Sequence, residues 1–267
     1  MPSRLETLSR VYGPETWDIY DVLDRSLEPR GREWLHELAA HYLTAGARIL
    51  DAGCRDASDL IRLVQAHDGF GVGVDPVAIH VERARAAVAA ASLKERIEIV
   101  DGVMEKLPYA DCSFDFVWCR DVVEGVEPLD DALRALARML KRDSRMLVYT
   151  SFATDLLTRE EHRLLERQLS NLTANLDEEQ VEAAFVRAGL QVERKDIVWS
   201  EFKEYAEERT QPGSRTLLRL ARLRRSRERL ERELPVELLN HIEATLHWEL
   251  FLFLGKLQPT VYVLTHS

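Results

Sequence analysis

The chain has 267 residues, of which 46% are hydrophobic and 31% are charged. This composition is typical of globular proteins and excludes the disordered and fibrous classes. The length suits one large α/β domain with an elaborated cap, or at most two modest domains. The formal net charge of −10 at pH 7 argues mildly against a role for the whole chain in binding nucleic acid or anionic lipid.

The cysteines and the distribution of apolar residues indicate a compartment. Cys54, Cys112 and Cys119 show no metal-ligand spacing, and an odd number of cysteines is typical of reduced thiols. The first residues lack the apolar segment of a signal peptide, and no apolar run approaches the roughly 20 residues of a membrane span. We therefore expect a cytoplasmic protein without a metal site or a membrane contact.

The first half of the chain alternates amphipathic stretches with short apolar runs. An amphipathic region covers about residues 16–44. The apolar runs that follow predict five strands, with the sequences ARILDAGC, GFGVGVDP, RIEIVDG, FDFVWC and RMLVYTSF. Helices are predicted between them over about residues 56–67, 77–92 and 130–141. Such an alternation indicates a parallel sheet with right-handed crossovers.

The second half is predicted to complete the sheet and to add helices. Two helices are predicted over residues 158–170 and 177–188. The sequences LQVERKDIVW and TVYVLTH alternate like strands. Between these two strands lies a charged helical insertion over residues 201–257. We therefore predict an N-terminal helical lid (1–44), a core (45–200 plus 258–267) and a helical cap insertion (201–257).

The ends of the first two predicted strands carry residues suited to a nucleoside, because ligands of doubly wound sheets bind beyond the carboxyl ends of the strands. Gly53 lacks a Cβ, so the backbone of the first turn can approach a ligand closely. The following helix N-terminus offers free N–H groups to a carboxylate. Asp75 ends the second strand, where its carboxylate can accept two hydrogen bonds from a ribose diol, and Pro76 suits the first position of a helix. Taken alone, either element is also explained as turn chemistry.

The segment 100–152, VDGVMEKLPYADCSFDFVWCRDVVEGVEPLDDALRALARMLKRDSRMLVYTSF, resembles the class I S-adenosylmethionine-dependent methyltransferases, and most closely their small-molecule branch. That family shares an LDxGCGxG turn, an acid at the end of strand two, a GDAxxLPF loop, and an FDxV strand followed by an LEHV-like helix. The resemblance spans about residues 45–152. It implies a Rossmann-like, doubly wound, seven-stranded α/β sheet, mostly parallel with the last strand antiparallel. It also implies S-adenosylmethionine as cofactor and S-adenosylhomocysteine as product.

Carried over residue by residue, the resemblance implies a set of cofactor-binding residues: Asp51, Gly53, Arg55, Asp75, Pro76, Val103, Met104, Cys119 and Arg120. Of the three family glycines in the first turn only Gly53 is kept, because Arg55 and Ala57 occupy the other positions. Arg55 is expected either to contact the methionine carboxylate or to face solvent. Val103 stands where the family often has an aspartate, so recognition of adenine should depend on the main chain near Met104. Cys119 and Arg120 are expected to line the floor of the site or to be plain strand-end residues.

Catalysis of methyl transfer depends mainly on positioning, because the in-line displacement needs little acid–base chemistry. Gly125 stands where the family often has a histidine, so the motif assigns no general base. Tyr20, grouped with Tyr12 and Trp17 in the N-terminal segment, is a candidate that could close over the site or simply pack its helix. Two further candidates, His241 and His247, lie on the last predicted helix, where packed or solvated histidines are the alternative.

A basic helix is predicted over residues 214–232, which contain eight arginines and two glutamates. It is either a solvated helix, a contact for RNA or an acidic substrate, or a contact with a sister subunit. It has no aromatic side chains for base stacking, so nucleic acid is disfavoured, and a substrate cap or a contact within a possible homodimer is preferred. The sequence thus predicts a methyltransferase for small molecules. The alternatives are an RNA or protein methyltransferase and a methyltransferase-like protein that does not catalyse transfer.

Overall fold

The computed structural model describes residues 3–267, and the side chains of all of them except residues 14–17. Within residues 3–267, seven strands form one sheet: β1 (Arg48–Ala52), β2 (Phe70–Asp75), β3 (Ile97–Asp101), β4 (Phe114–Arg120), β5 (Leu140–Ala153), β6 (Leu190–Ile197) and β7 (Leu257–His266). Their order is β3-β2-β1-β4-β5-β7-β6. The first five strands pair in parallel, and β7 lies antiparallel between β5 and β6. The predicted fold class is confirmed.

Both faces of the sheet are covered, which explains why its central strands are nearly continuous apolar runs. Because successive side chains of a strand point to opposite faces, neighbours on β4 belong to different cores. Phe116 and Trp118 pack on one side, and Val117 and Cys119 pack on the other. The same alternation divides β1, where Ile49 joins the first core.

The helices of the described residues are α1 (Arg4–Val11), α2 (Pro14–Leu23), α3 (Glu33–Ala40), α4 (Ser58–Ala66), α5 (Ala78–Ala90), α6 (Leu129–Met139), α7 (Arg159–Leu169), α8 (Glu178–Arg187), α9 (Glu201–Thr210), α10 (Pro212–Arg225), α11 (Arg227–Leu230) and α12 (Val236–Phe253). Helices α3, α4 and α5 pack on one face of the sheet, and α6 and α8 on the other. None of these helices is long and apolar enough to cross a lipid bilayer.

The insertion between β6 and β7 consists of helices α9 to α12. Helix α12 packs on α10 and α7, and Lys256 holds the carboxylate of Glu161 on α7 at 2.5 Å. The single basic helix predicted over residues 214–232 is wrong. Helix α10 ends at Ser226, where φ −104° and ψ 10° leave the helical region, and the short α11 follows.

The N-terminal helices differ in how they pack. Leu35, Leu38 and Ala39 of α3 are buried in the core. In contrast, α1 has no buried residue, and the described side chains of α2 are exposed. The predicted lid therefore combines helices whose described side chains are not buried and one helix that belongs to the core. The division into lid, core and cap stays a prediction.

Candidate functional site

A cavity of about 600 Å³ lies at the carboxyl ends of β1, β2 and β4. Its volume is within the range of small-molecule and cofactor sites. The residues that were predicted to bind cofactor and that line it are Asp51, Gly53, Arg55, Asp75, Pro76, Val103, Met104 and Arg120. The structure thus brings these residues together, although their individual roles stay predictions.

The turn after β1 keeps the positive φ angles of a glycine-rich turn, although two of its three glycines are replaced. Gly53, Arg55 and Ala57 have φ angles of +79°, +50° and +59°, and the family has glycine at all three positions. A Cβ on Gly53 would lie 2.3 Å from Cγ2 of Val122, so only glycine fits there. At the other two positions a side chain is accommodated, but each left-handed residue costs about 1 kcal/mol of strain. The loss of two glycines has therefore changed the side chains and not the course of the turn.

Asp75 is held from three directions at the end of β2. Its Oδ2 accepts the backbone N–H of Arg55 at 3.0 Å, and its Oδ1 accepts the backbone N–H of Val77 at 2.9 Å. Nδ1 of His80 lies 3.1 Å from the same Oδ1. These contacts fix the carboxylate beside the cavity before any ligand arrives. Sequence reasoning missed His80, although its position in the first turn of the helix after the acid is a usable signal.

A second acidic residue, Asp59, is held by side chains at the other end of the cavity. Arg32 and Arg120 donate to its two oxygens at 3.1 and 2.5 Å. His36 stacks on Trp118, with ring centroids 5.1 Å apart, and its Nε2 lies 3.2 Å from Asp59. Burial alone would raise the pKa of Asp59, but His36 and the two arginines outweigh it and hold the pKa at about 2. Asp59 is therefore a permanent anion that neutralises the arginines.

Asp51 lies at the end of β1 and is 3% exposed. Burial, together with the negative charge of Asp59, raises its pKa well above the ordinary value. A cation placed next to such a buried carboxyl group is stabilised, because the cation favours the ionised carboxylate. The cavity thus offers a place for a cationic part of a ligand.

Glu124 anchors the segment after β4 that forms one wall of the cavity. Its Oε1 accepts the backbone N–H of Ser151 at 2.8 Å, and its Oε2 is buried without a hydrogen-bond partner among the described residues. Burial raises the pKa of Glu124 to about 7, and the charge of Asp121 adds to this effect. Asn175 completes the fastening, since its Nδ2 donates to the carbonyls of residues 123 and 126 at 2.8 Å.

Cys119, which was expected to line the floor of the site or to be a plain strand-end residue, is not among the residues that line the cavity. Its side chain is 2% exposed and packs in the core with residues of β1 and β2. The alternation of β4 turns Trp118 and Arg120 toward the cavity instead. Burial also raises the pKa of the Cys119 thiol, so this cysteine is inert.

None of the three candidate catalytic side chains lines the cavity. Tyr20 is 55% exposed on α2. Nδ1 of His241 lies 2.8 Å from the carbonyl of Gln168, and Nε2 of His247 lies 2.8 Å from Arg224. Of the two aromatic residues grouped with Tyr20, Tyr12 is exposed and the side chain of Trp17 lies outside the described residues. A catalytic role for any of these side chains stays a prediction.

A family model described as a methyltransferase domain matches residues 50–148. This segment runs from β1 to β5 and carries most of the cavity. Residues 50–148 therefore match a methyltransferase domain, and this match covers less than half of the chain. The resemblance to methyltransferases that was predicted from the sequence is confirmed for this segment.

Relatives of the methyltransferase domain share part of the chain. A 27-O-demethylrifamycin SV methyltransferase of Amycolatopsis mediterranei is 32% identical over 104 residues, which are 39% of this chain and 38% of that protein. The chain therefore spans well under half the length of this relative.

Two solved structures share the fold. A methyltransferase from Thiobacillus denitrificans in complex with S-adenosylhomocysteine is 19% identical, with a TM-score of 0.60, over 96% of this chain and 99% of the other. The [4+2]-cyclase SpnF is 18% identical, with a TM-score of 0.69, over 90% of this chain and 85% of the other.

Proposed function

We propose that this protein transfers a methyl group from S-adenosylmethionine to a small-molecule acceptor and releases S-adenosylhomocysteine. The observation that carries the proposal is the position of Asp75, which the backbone of two turns holds at the wall of a cofactor-sized cavity. An acid at this place in a doubly wound sheet accepts hydrogen bonds from a ribose diol. The methyltransferase domain supplies the matching family context.

The remaining lining residues fit the other parts of the cofactor. Val77, Val103 and Met104 offer apolar surface next to Asp75, which suits an adenine ring. Asp51 favours the positive charge of the sulfonium at the floor of the cavity, and the guanidinium of Arg55 suits the methionine carboxylate. When bound, the cofactor supplies an electrophilic methyl group on a sulfonium. The protein's own part is to orient that group and to exclude water from it.

The acceptor is a small molecule in this proposal, and the methylated atom is N, O or C. In this proposal residues 1–44 act as a lid and residues 201–257 as a cap on a core of residues 45–200 plus 258–267. Arg32 of the lid segment lines the cavity. The related enzyme of Amycolatopsis mediterranei is named for a small-molecule acceptor. RNA is disfavoured because α10 offers arginines without aromatic side chains. The three free cysteines support a cytoplasmic location.

A second candidate is a protein that binds the cofactor and does not transfer its methyl group. Two observations favour it. SpnF has the same fold and is named a [4+2]-cyclase, and Gly125 lines the cavity where the family often has a histidine. Fold alone does not decide between these chemistries.

Two measurements test the proposal. Calorimetric titration with S-adenosylmethionine and S-adenosylhomocysteine is expected to show binding of both. Incubation with methyl-labelled cofactor and a panel of phenols, amines and sterols is expected to give a labelled product. Binding without transfer to any acceptor would support the second candidate, and absence of binding would reject both.

A further inference from the structure

The outward face of α10 carries an arginine row. The opposite face is buried against α12 through Gly213, Thr216, Leu220 and Leu223. Residues at intervals of three and four share the outward face: Arg215, Leu218, Arg222 and Arg225. The row's three arginines form no ion pair with any residue that the structure describes. Leu218 is 47% exposed between them. We name these four residues the basic row.

Helix α2 presents the opposite charge. It and its C-cap residue contain four acids and no basic residue. Asp18, Asp21 and Asp24 recur at intervals of three, so they lie along one side of the helix, and they form no ion pair within the described part of the chain. We name these three residues the acidic row. The neighbouring apolar side chains are exposed as well: Ile19 by 52%, Val22 by 50% and Leu23 by 62%.

Both rows belong to segments that are joined to α9. Ser26, just after α2, donates its hydroxyl to Glu208 of α9 at 2.9 Å, and Arg30 donates to Glu201 of α9 at 2.7 Å. Helix α9 leads through Gln211 directly into α10. A patch that carries both signs of charge side by side is self-complementary, because a two-fold axis brings each row of one copy onto the other row of its partner.

We propose that two copies of this chain associate through this patch, with the acidic row of α2 on the basic row of α10 in each direction. The contact pairs charges that have no ion pair among the described residues, and it covers the exposed apolar residues of α2 and Leu218 of α10. The basic row requires an acidic partner surface, and a second copy of this chain, whose net charge is −10, supplies one. The inference goes beyond the proposed methyl transfer and does not depend on it.

Charge reversal followed by mixing tests the contact. One variant carries Arg222→Glu and Arg225→Glu, and the other carries Asp18→Arg and Asp21→Arg. In sedimentation velocity at about 50 mM salt, the wild-type chain is expected to be a dimer, and each variant is expected to dissociate with a dissociation constant raised about hundredfold. An equal mixture of the two variants is expected to form a heterodimer, because both directions of the contact are then complementary again. Recovery in the mixture also shows that both variants are folded.

The matched control carries Arg62→Glu and Arg83→Glu, two exposed helix residues outside the patch without ion pairs to described residues. It makes the same change in net charge and is expected to stay dimeric. A wild-type chain that is monomeric at every concentration would overturn the proposal. So would a dimer that neither reversal weakens, or reversal variants whose mixture stays monomeric. A monomer whose arginine variant alone loses binding to phosphatidylserine vesicles or to single-stranded RNA would assign the basic row to that ligand and overturn it equally.

Discussion

At one end of the cavity, Asp75 is held by backbone N–H groups of Arg55 and Val77. At the other end, Asp59 is held by the side chains of Arg32 and Arg120. Both residues are aspartates near a helix N-terminus and next to the same ligand space. The difference is the source of their partners: adjoining turns in the first case, and segments distant along the chain in the second. An acid held by backbone keeps its oxygens available to a ligand, whereas an acid paired with two cations is already neutralised.

The largest expected effect tests the ribose end. Asp75→Ala removes the side chain proposed to accept two ligand hydrogen bonds, so the affinity for S-adenosylmethionine should fall about a thousandfold, or about 4 kcal/mol. Calorimetric titration measures it. The matched control is Asp101→Ala, an exposed acid at the end of the adjacent β3, which should bind like the wild type. Equal losses in both variants would show that the loss is not specific to the cavity.

The next effect tests the other end. Asp59→Ala leaves Arg120, whose side chain is 16% exposed, without its shortest ion pair. The free energy of unfolding should fall by about 3 kcal/mol, since a largely buried charge loses the nearer of its two acidic partners and retains only Asp121. Urea denaturation measures it. Asp131→Ala, which breaks a pair between exposed side chains, should change stability by no more than about 0.5 kcal/mol. Similar values for the two variants would contradict the contrast drawn between buried and exposed pairs.

Glu124 is expected to make the stability of the fold depend on pH. Its pKa in the folded chain is about 7, against an ordinary value of 4.5, so the native state retains a proton that the unfolded chain has lost. Its contribution to stability is complete below the unfolded pKa and disappears as pH rises through 7. The wild type should lose about 2 kcal/mol more than Glu124→Gln between pH 5 and 8. Parallel thermal unfolding profiles for the two proteins would refute this.

The smallest effect concerns the strained turn. Arg55→Gly should raise the free energy of unfolding by about 1 kcal/mol, because glycine adopts a φ of +50° without a steric penalty. If the guanidinium of Arg55 contacts the methionine carboxylate, the same change should reduce the affinity for S-adenosylmethionine about fivefold and leave adenosine binding unaltered. Ala57→Gly, at φ +59°, is the control, with relief of strain and no loss of cofactor. Unchanged cofactor affinity in Arg55→Gly would mean that this side chain faces solvent.

The sequence predicted the sheet and the residues around Asp75 that line the cavity, for a common physical reason. Strand periodicity, the Gly53 turn and the acid at Asp75 are local patterns, and the fold follows from their order. The ion pairs of Asp59 were missed because Arg32 and Arg120 reach it from other elements of the chain, and no spacing signals such a meeting. Cys119 was misplaced because its position at a strand end was used without the alternation of that strand.

The sequence could not show that the two candidate histidines lie away from the cavity, for a related reason. His241 and His247 lie on a helix whose docking depends on α7 and α10, and a helical pattern gives the face of a residue but not the surface it meets. The break at Ser226 shows the same limit, since residues 214–232 contain no glycine or proline that would signal the end of a helix.

Asp51 has a consequence for the energetics of loading the cavity. Burial and the nearby Asp59 raise its pKa well above the usual range in the free protein, and a cationic ligand beside it would lower that pKa again. Cofactor entry would then expel a proton into the solvent. The observed heat of binding should vary with the ionisation enthalpy of the buffer, and the affinity should increase with pH. A single buried carboxyl group would in this way make the cofactor compete with a proton for the floor of the cavity.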